Sequence, residues 1–160
     1  MSRLTPARRK LVLTIHVVAG VGWLGLHAVL ILLTATGLAT GDDHTMLAVY
    51  VAGGMVGELV FPFAAISLAT GVILSLGTAW GLLRHWWVLA KLVINVAMLA
   101  VSGAVLSRFL AEAADRARDG VAVGDLGTRV VIGSCAGFAL LVVATALSVY
   151  RPRGRTRWDV

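Results

Sequence analysis

Cysteine is almost absent from this 160-residue chain, in which Cys135 is the only one. A single thiol forms no intramolecular disulfide and no cysteine metal cluster, which excludes a disulfide-stapled domain and a cysteine-ligated zinc site. Charged residues are also scarce, at 14%, whereas 59% of the residues are hydrophobic. A soluble domain of this length could not bury so much apolar surface, so the composition indicates a membrane protein.

The formal net charge is +6, and eight of the fourteen basic residues lie at the two ends of the chain. The residues concerned are Arg3, Arg8, Arg9, Lys10, Arg151, Arg153, Arg155 and Arg157. Such clusters are typical of the cytoplasmic ends of membrane proteins, because Lys and Arg resist translocation. The interleaved basic and aromatic pattern of a nucleic-acid surface is missing. We therefore expect the lipid bilayer, and not a nucleic acid, as the partner.

Four stretches are long enough to cross a bilayer, which takes about 20 mostly apolar residues in a helix. They cover residues 11–38, 46–76, 86–110 and 130–150, and residues 112–118 could continue the third helix above the membrane. Pro62, in the second stretch, is expected to kink its helix. The first stretch is too long for the core of a cleaved signal peptide. The sequence predicts a single all-α domain over residues 1–160, an integral membrane four-helix bundle.

Charge in the connections predicts the orientation of this bundle. With four spans both termini share one side, together with Arg84 in the second connection. The other two connections carry the acidic residues Asp42, Asp43, Glu112, Asp115, Asp119 and Asp125. Both termini are therefore expected to be cytoplasmic. Aromatic residues at the predicted interfaces agree with these boundaries: Trp80, Trp86, Trp87 and Tyr150.

Ionisable residues inside the predicted spans are the candidate functional residues, because each costs roughly a few kcal/mol by insertion scales. At 100° per residue, one face of the first helix carries His16, Gly20, Trp23 and His27. By the same arithmetic, one face of the third helix carries Lys91, Asn95, Met98 and Ser102. Both stripes are expected to point into the bundle.

The predicted depth of these residues in the membrane groups the ionisable ones into two pairs. His16 and Lys91 each lie roughly 8 Å inside the cytoplasmic ends of their helices, so they are expected to meet. His27 and Glu58 each lie roughly 18 Å from the outer ends, where they could serve as catalytic acid and base or in proton handling. Structural alternatives remain open. His16 could be a neutral imidazole bonded to a serine or a backbone carbonyl, Lys91 could snorkel to headgroups, and Glu58 could be a protonated acid bonded to His27.

Two segments resemble a known group of membrane proteins. Ile15-His16-Val17-Val18-Ala19-Gly20-Val21-Gly22-Trp23-Leu24-Gly25 resembles the first-helix signature of CopD-type copper-resistance proteins and HemJ-type protoporphyrinogen oxidases. Trp87-Val88-Leu89-Ala90-Lys91-Leu92-Val93 resembles a later helix start in the same families. The stretch from Ser75 to Lys91 looks closer still to an uncharacterised branch of small bacterial four-helix proteins. The resemblance covers most of the first three helices and implies a multi-pass protein of the bacterial plasma (inner) membrane.

The resemblance to HemJ-type proteins implies haem b as cofactor. Carried over by position, His16 and Lys91 become candidate axial ligands of the metal, or one ligand and one propionate partner. Gly20, Trp23 and Asn95 would shape the same cofactor site. The Pro-Arg segment that follows the first-helix tryptophan in HemJ is absent here, and His27 stands in that region, which argues against protoporphyrinogen as the particular substrate.

These expectations favour a small haem-b protein with a redox or electron-transfer role, such as a haem-dependent membrane oxidoreductase. Three alternatives stay open. The same polar residues could line a path for a copper ion or a small solute, although the Met-rich or His-rich clusters of copper sites are missing. The glycine faces could dock another membrane protein or a second copy in a homo-oligomer. An enzyme that acts on a lipid-soluble small molecule also stays open, with His27 and Glu58 as acid and base.

Overall fold

The protein is an all-α bundle in a computed structural model that describes residues 4–77, 82, 84–152, 154 and 156. Helix α1 spans Pro6–Ala39, α2 spans Asp43–Leu76 and α5 spans Asp125–Tyr150. Between α2 and α5 lie α3 (Trp86–Val101), a π-helical turn (Ser102–Leu106) and α4 (Ser107–Arg118), which follow one another without a break. No strand occurs within the described residues. Four helices, counting Trp86–Arg118 as one, are long and apolar enough to cross a membrane.

Local sequence signals set the ends of these helices. The Thr5 hydroxyl accepts a hydrogen bond from the Arg8 N–H, and Pro6 occupies the first turn, where its missing N–H costs nothing. At the start of α2, the Asp42 carboxylate accepts hydrogen bonds from the hydroxyl and the backbone N–H of Thr45, which hold the pKa of Asp42 below its usual range. Gly120 and Gly124 adopt positive φ angles of 67° and 52° in the loop before α5.

The four predicted spans are all present, but the helices extend beyond the predicted bounds. The third span continues to Arg118, as residues 112–118 suggested. The fourth helix begins at Asp125 and not near Val130, because the acidic residue suits a first helical turn. Helix α2 runs through Pro62. Trp80, placed at an interface from the sequence, lies outside the described residues.

Both ends of the bundle's chain lie beside the connection between α2 and α3. The Leu4 N–H donates to the Gly77 carbonyl at 3.4 Å, and the Thr156 N–H donates to the Arg84 carbonyl at 3.1 Å. The N-terminus of α1, the C-terminus of α2, the N-terminus of α3 and the C-terminus of α5 therefore share one end. We call this the terminal end of the bundle, and the opposite end the distal end.

The helices pack in a ring in which each touches two neighbours. Helix α1 packs on α2 and α5, and the Trp86–Arg118 helix packs on the same two, whereas no Cα atom of α1 lies within 8 Å of one in α3. Helix α2 packs more extensively on α4 than on α3. The bundle is thus tighter at the distal end and wider at the terminal end. A cluster that includes Trp23, Leu30, Val60, Leu110 and Val130 fills its centre.

Glycine allows a close approach between α1 and α5. A Cβ added at Gly137 of α5 would lie 2.6 Å from Cε1 of His27, whose side chain is fully buried on α1. We expect Gly137→Ala to lower the free energy of unfolding by about 1–3 kcal/mol, because the rigid ring would have to move in a packed interior. Reversible unfolding in detergent by an SDS titration measures this change.

Gly25→Ala provides the matched control on the other helix. A Cβ at Gly25 meets nothing within 4 Å, so this variant should be as stable as the original or slightly more so. Equal stability of the Gly137 and Gly25 variants would refute the close packing of His27 on α5.

Candidate functional site

A cavity of about 370 Å³ lies at the terminal end of the bundle, where the helices spread. All four spans line it, among them His16 of α1, Gly71 of α2, Lys91 of α3 and Ser148 of α5. This volume falls in the range of small-molecule sites, about 300–1,000 Å³. His16 and Lys91, which the sequence placed at one depth, therefore do line one shared cavity.

Helix α2 holds His16 in a defined orientation. Its Nδ1 lies 2.9 Å from the Ser67 carbonyl oxygen and 3.1 Å from the Thr70 hydroxyl oxygen. A carbonyl oxygen can only accept, so Nδ1 carries the proton and the neutral ring keeps its lone pair on Nε2. Gly71 leaves room for the ring, because a Cβ there would lie 3.1 Å from His16 Cε1. Nε2 has no hydrogen-bond partner among the described residues.

Helices α3 and α5 hold Lys91 from the other side of the cavity. Its Nζ donates to the Ser148 hydroxyl at 3.1 Å and lies 4.7 Å from the centre of the Trp87 ring. Ser148 in turn donates its own proton to the Ala144 carbonyl. These contacts fit a protonated amine, since a hydroxyl lone pair and an aromatic face both attract a cation. Lys91 therefore contacts two groups of the protein. Ser148 lies two residues before the end of α5, so the amine reaches towards the terminal end, and the snorkelling alternative stays a prediction.

The entrance of the cavity is positively charged. Arg9 and Arg151 line it together with Lys91, and none of the described lining residues is acidic. The rest of the wall is largely apolar and includes Val88, Leu92 and Leu141. Such a cavity suits a molecule with a flat or flexible apolar body and an anionic edge.

The remaining predicted residues of this site also line the cavity. Gly20 and Trp23 contribute from α1, and Asn95 from α3. The Asn95 amide donates to the Lys91 carbonyl oxygen at 2.9 Å, which satisfies part of its polar group inside its own helix. Trp23 is fully buried, and its indole N–H has no hydrogen-bond partner among the described residues.

Sequence reasoning missed the residues that orient His16 and Lys91. Ser67, Thr70 and Gly71 lie on one face of α2, and Ser148 lies near the end of α5. Small polar residues are common in membrane helices, so their presence alone gives little signal. The available clue was the spacing of Thr70 and Gly71, which follow Ser67 by three and four residues and therefore share its helix face.

His27 and Glu58 do not meet, so the expected bond between them was wrong. His27 is fully buried, and neither of its ring nitrogens has a hydrogen-bond partner in the described part of the chain. Its ring packs near Trp23, with ring centres 6.4 Å apart. Glu58 is exposed on α2 and lines a separate groove beside α4. A joint acid–base role for the pair has no geometric basis, and a role for either residue alone stays a prediction.

The described residues contain no group of three or more His, Cys, Asp or Glu side chains that could hold a metal ion. Comparison with known proteins gives no relative: the chain matches no protein-family model, no curated protein and no solved structure.

The unpartnered nitrogens of His27 lead to a prediction about stability. We expect His27→Leu to leave the free energy of unfolding unchanged or to raise it by about 1–2 kcal/mol, because it removes buried polar atoms that lack partners. An SDS titration in detergent measures the effect.

Thr34→Val is the control at a polar position on the same helix. Thr34 is also fully buried, but its hydroxyl donates to the Leu30 carbonyl at 2.6 Å. This substitution should cost about 0.5–1.5 kcal/mol. A larger loss from His27→Leu than from Thr34→Val would show that the imidazole has a partner after all.

Proposed function

We propose that this protein is a small haem-b-binding membrane protein with a redox or electron-transfer role, in which His16 is an axial ligand of the iron. One observation carries the proposal. The Ser67 carbonyl fixes the proton on His16 Nδ1, which leaves the Nε2 lone pair available on a ring that lines the cavity. Histidines that bind metals are typically oriented through their other ring nitrogen in this way.

The chemistry of the cavity fits the parts of haem b. The porphyrin supplies four nitrogen ligands itself, so a single imidazole suffices on one side. The apolar wall suits the macrocycle, and the positive entrance suits the two propionates. When bound, haem supplies one-electron chemistry, and the protein tunes it through the axial ligand and its hydrogen bonds. The likeness of residues 15–25 and 87–93 to HemJ-type proteins is a second, independent support.

Lys91 suits a propionate partner better than a second axial ligand. An amine must be neutral to offer its lone pair to iron, whereas the contacts of Lys91 with Ser148 and Trp87 fit an ammonium group. Neither contact neutralises the charge, and Arg151 is near enough to repel it. A carboxylate in the cavity would compensate the positive charges of both residues.

We further propose that the terminal end of the bundle faces the cytoplasm and that the membrane is the bacterial plasma (inner) membrane. The basic residues at both ends of the chain support this orientation, because cytoplasmic segments carry the excess of Lys and Arg. The cofactor site would then lie in the cytoplasmic half of the bilayer.

A second candidate function is the binding or conversion of another lipid-soluble anion. Leu13 and Val17 of α1 line the cavity and are also 45% and 51% exposed on the outside of the bundle. An amphiphile could therefore reach the cavity from the lipid phase. A visible spectrum separates this candidate from the first, because only a haem complex has a Soret band.

Haem binding is tested by purifying the protein from cells supplied with ample haem and recording its visible spectrum. We expect a Soret band from the original protein and from His44→Ala, since His44 is exposed at the distal end. His16→Ala should lose at least about 90% of the bound haem, because the axial bond is removed. A Soret band that is absent from the original protein, or unchanged in His16→Ala, would end this proposal.

The role of Lys91 is tested separately by haem titration of Lys91→Leu, because leucine has no atom that could ligate iron. We expect about tenfold weaker binding with an unchanged Soret position, because an anion partner is lost while the axial ligand remains. Haem with both propionates esterified should bind the original protein and Lys91→Leu equally. A shifted Soret band in Lys91→Leu would instead identify Lys91 as an axial ligand.

A further inference from the structure

A second feature of the molecule lies outside the cavity, on the surface that α2 and α4 share. A groove of about 430 Å³ runs between these helices, and we call it the Glu58 groove. Its floor consists of small residues: Gly54, Gly57, Ala111 and Ala114. Glu58 of α2 and Arg108 of α4 both line it, and both are exposed.

Glu58 belongs to an apolar surface. Its neighbours Met55 and Leu59 are 68% and 49% exposed, as expected of side chains that face lipid. A charge on such a surface is costly and is usually compensated by a partner. We therefore expect a partner for the Glu58 carboxylate, and its own helix provides none.

The other charges of α4 have partners within the chain. Arg116 bonds Glu112 at 2.6 Å, and Arg118 bonds Asp115 at 2.6 Å. Among the described residues, neither Glu58 nor Arg108 forms an ion pair or a side-chain hydrogen bond. The groove thus presents one unpaired acid and one unpaired base, which is a self-complementary set of charges.

Glu58 and Arg108 also lie at the same depth. Leu110, two residues beyond Arg108, packs against Gly57, the residue next to Glu58, because a Cβ at Gly57 would lie 2.6 Å from Leu110 Cδ1. Two copies in one membrane are related by a twofold axis along the membrane normal, so each residue faces its partner at its own depth. Glu58 of one copy and Arg108 of the other can therefore face each other across the axis, because the two residues lie at the same depth.

We propose that a second copy of this chain occupies the Glu58 groove, so that Glu58 of each copy pairs with Arg108 of the other. The interface is isologous and forms two equivalent ion pairs about the twofold axis. The small residues of the floor let the helices of the two copies approach closely, as is common in membrane dimers. This surface is independent of the proposed haem site.

The test measures dimer formation in lipid vesicles, by energy transfer between donor-labelled and acceptor-labelled copies at decreasing protein density. We expect the original protein to dimerise. Glu58→Arg and Arg108→Glu should each weaken self-association by about tenfold or more, because like charges then face one another across the interface. Both positions are exposed, so circular dichroism should show unchanged helix content.

Mixing the two single variants distinguishes pairing between copies from pairing within one copy. A donor-labelled Glu58→Arg chain and an acceptor-labelled Arg108→Glu chain have complementary charges only across an interface. We expect this mixture to recover the energy transfer of the original protein, whereas each variant alone does not. Recovery in the Glu58→Arg/Arg108→Glu double variant without recovery in the mixture would show pairing within one chain and would overturn the proposal.

Arg116→Glu is the control, because Arg116 is paired with Glu112 and does not line the groove. It should dimerise as the original protein does. A monomeric original protein at every density, or dimers that tolerate both charge reversals, would assign the groove to another occupant, such as a lipid headgroup or a different membrane protein.

Discussion

The interior of a bilayer offers no water, so a polar side chain in these helices is costly unless it finds a partner inside the protein. Most hydroxyls do so within their own helix. Thr34, Thr145 and Ser148 each donate to the carbonyl four residues earlier. Such bonds satisfy a group without tying helices together. Polar contacts between helices are therefore informative, and in the described residues they concentrate around His16 and Lys91 at the terminal end.

The same constraint explains why the two ends of the bundle differ. Towards the distal end, large rings fill the space opposite glycines, with Tyr50 of α2 between Gly37 and Gly127. Tyr50 is fully buried, so water is excluded around its ring. At the terminal end, α2 and α3 separate, and polar groups on all four spans surround an opening. A packed distal half thus supports the open half, in which His16 and Lys91 line one cavity.

The length of the apolar runs was sufficient to predict the four spans, and helical periodicity was sufficient to predict the inward direction of the two polar stripes. Depth was sufficient to bring His16 and Lys91 to one level. Depth does not, however, fix the direction in which a side chain points. Gly57 packs against Leu110, and Glu58, which is 100° further around α2, consequently faces outward. His27 faces Gly137 of α5 instead. The helix neighbours that decide these directions arise from tertiary packing, which a single sequence does not reveal.

Lys91 in the cavity and Arg108 in the Glu58 groove share one feature: neither forms an ion pair with an acidic residue among the described residues. In the cavity, Lys91 has a hydroxyl and an aromatic ring as neighbours, and both can hold a cation without neutralising it. In the Glu58 groove, Arg108 lies beside an acid of its own chain with which it forms no ion pair. Each arrangement leaves a positive charge without a counter-ion in the described residues, which is costly in apolar surroundings, and the proposed anions from outside the chain would offset that cost. A ligand carboxylate fits the first case because the cavity is concave and partly enclosed. A second copy fits the second case because the groove carries both signs of charge.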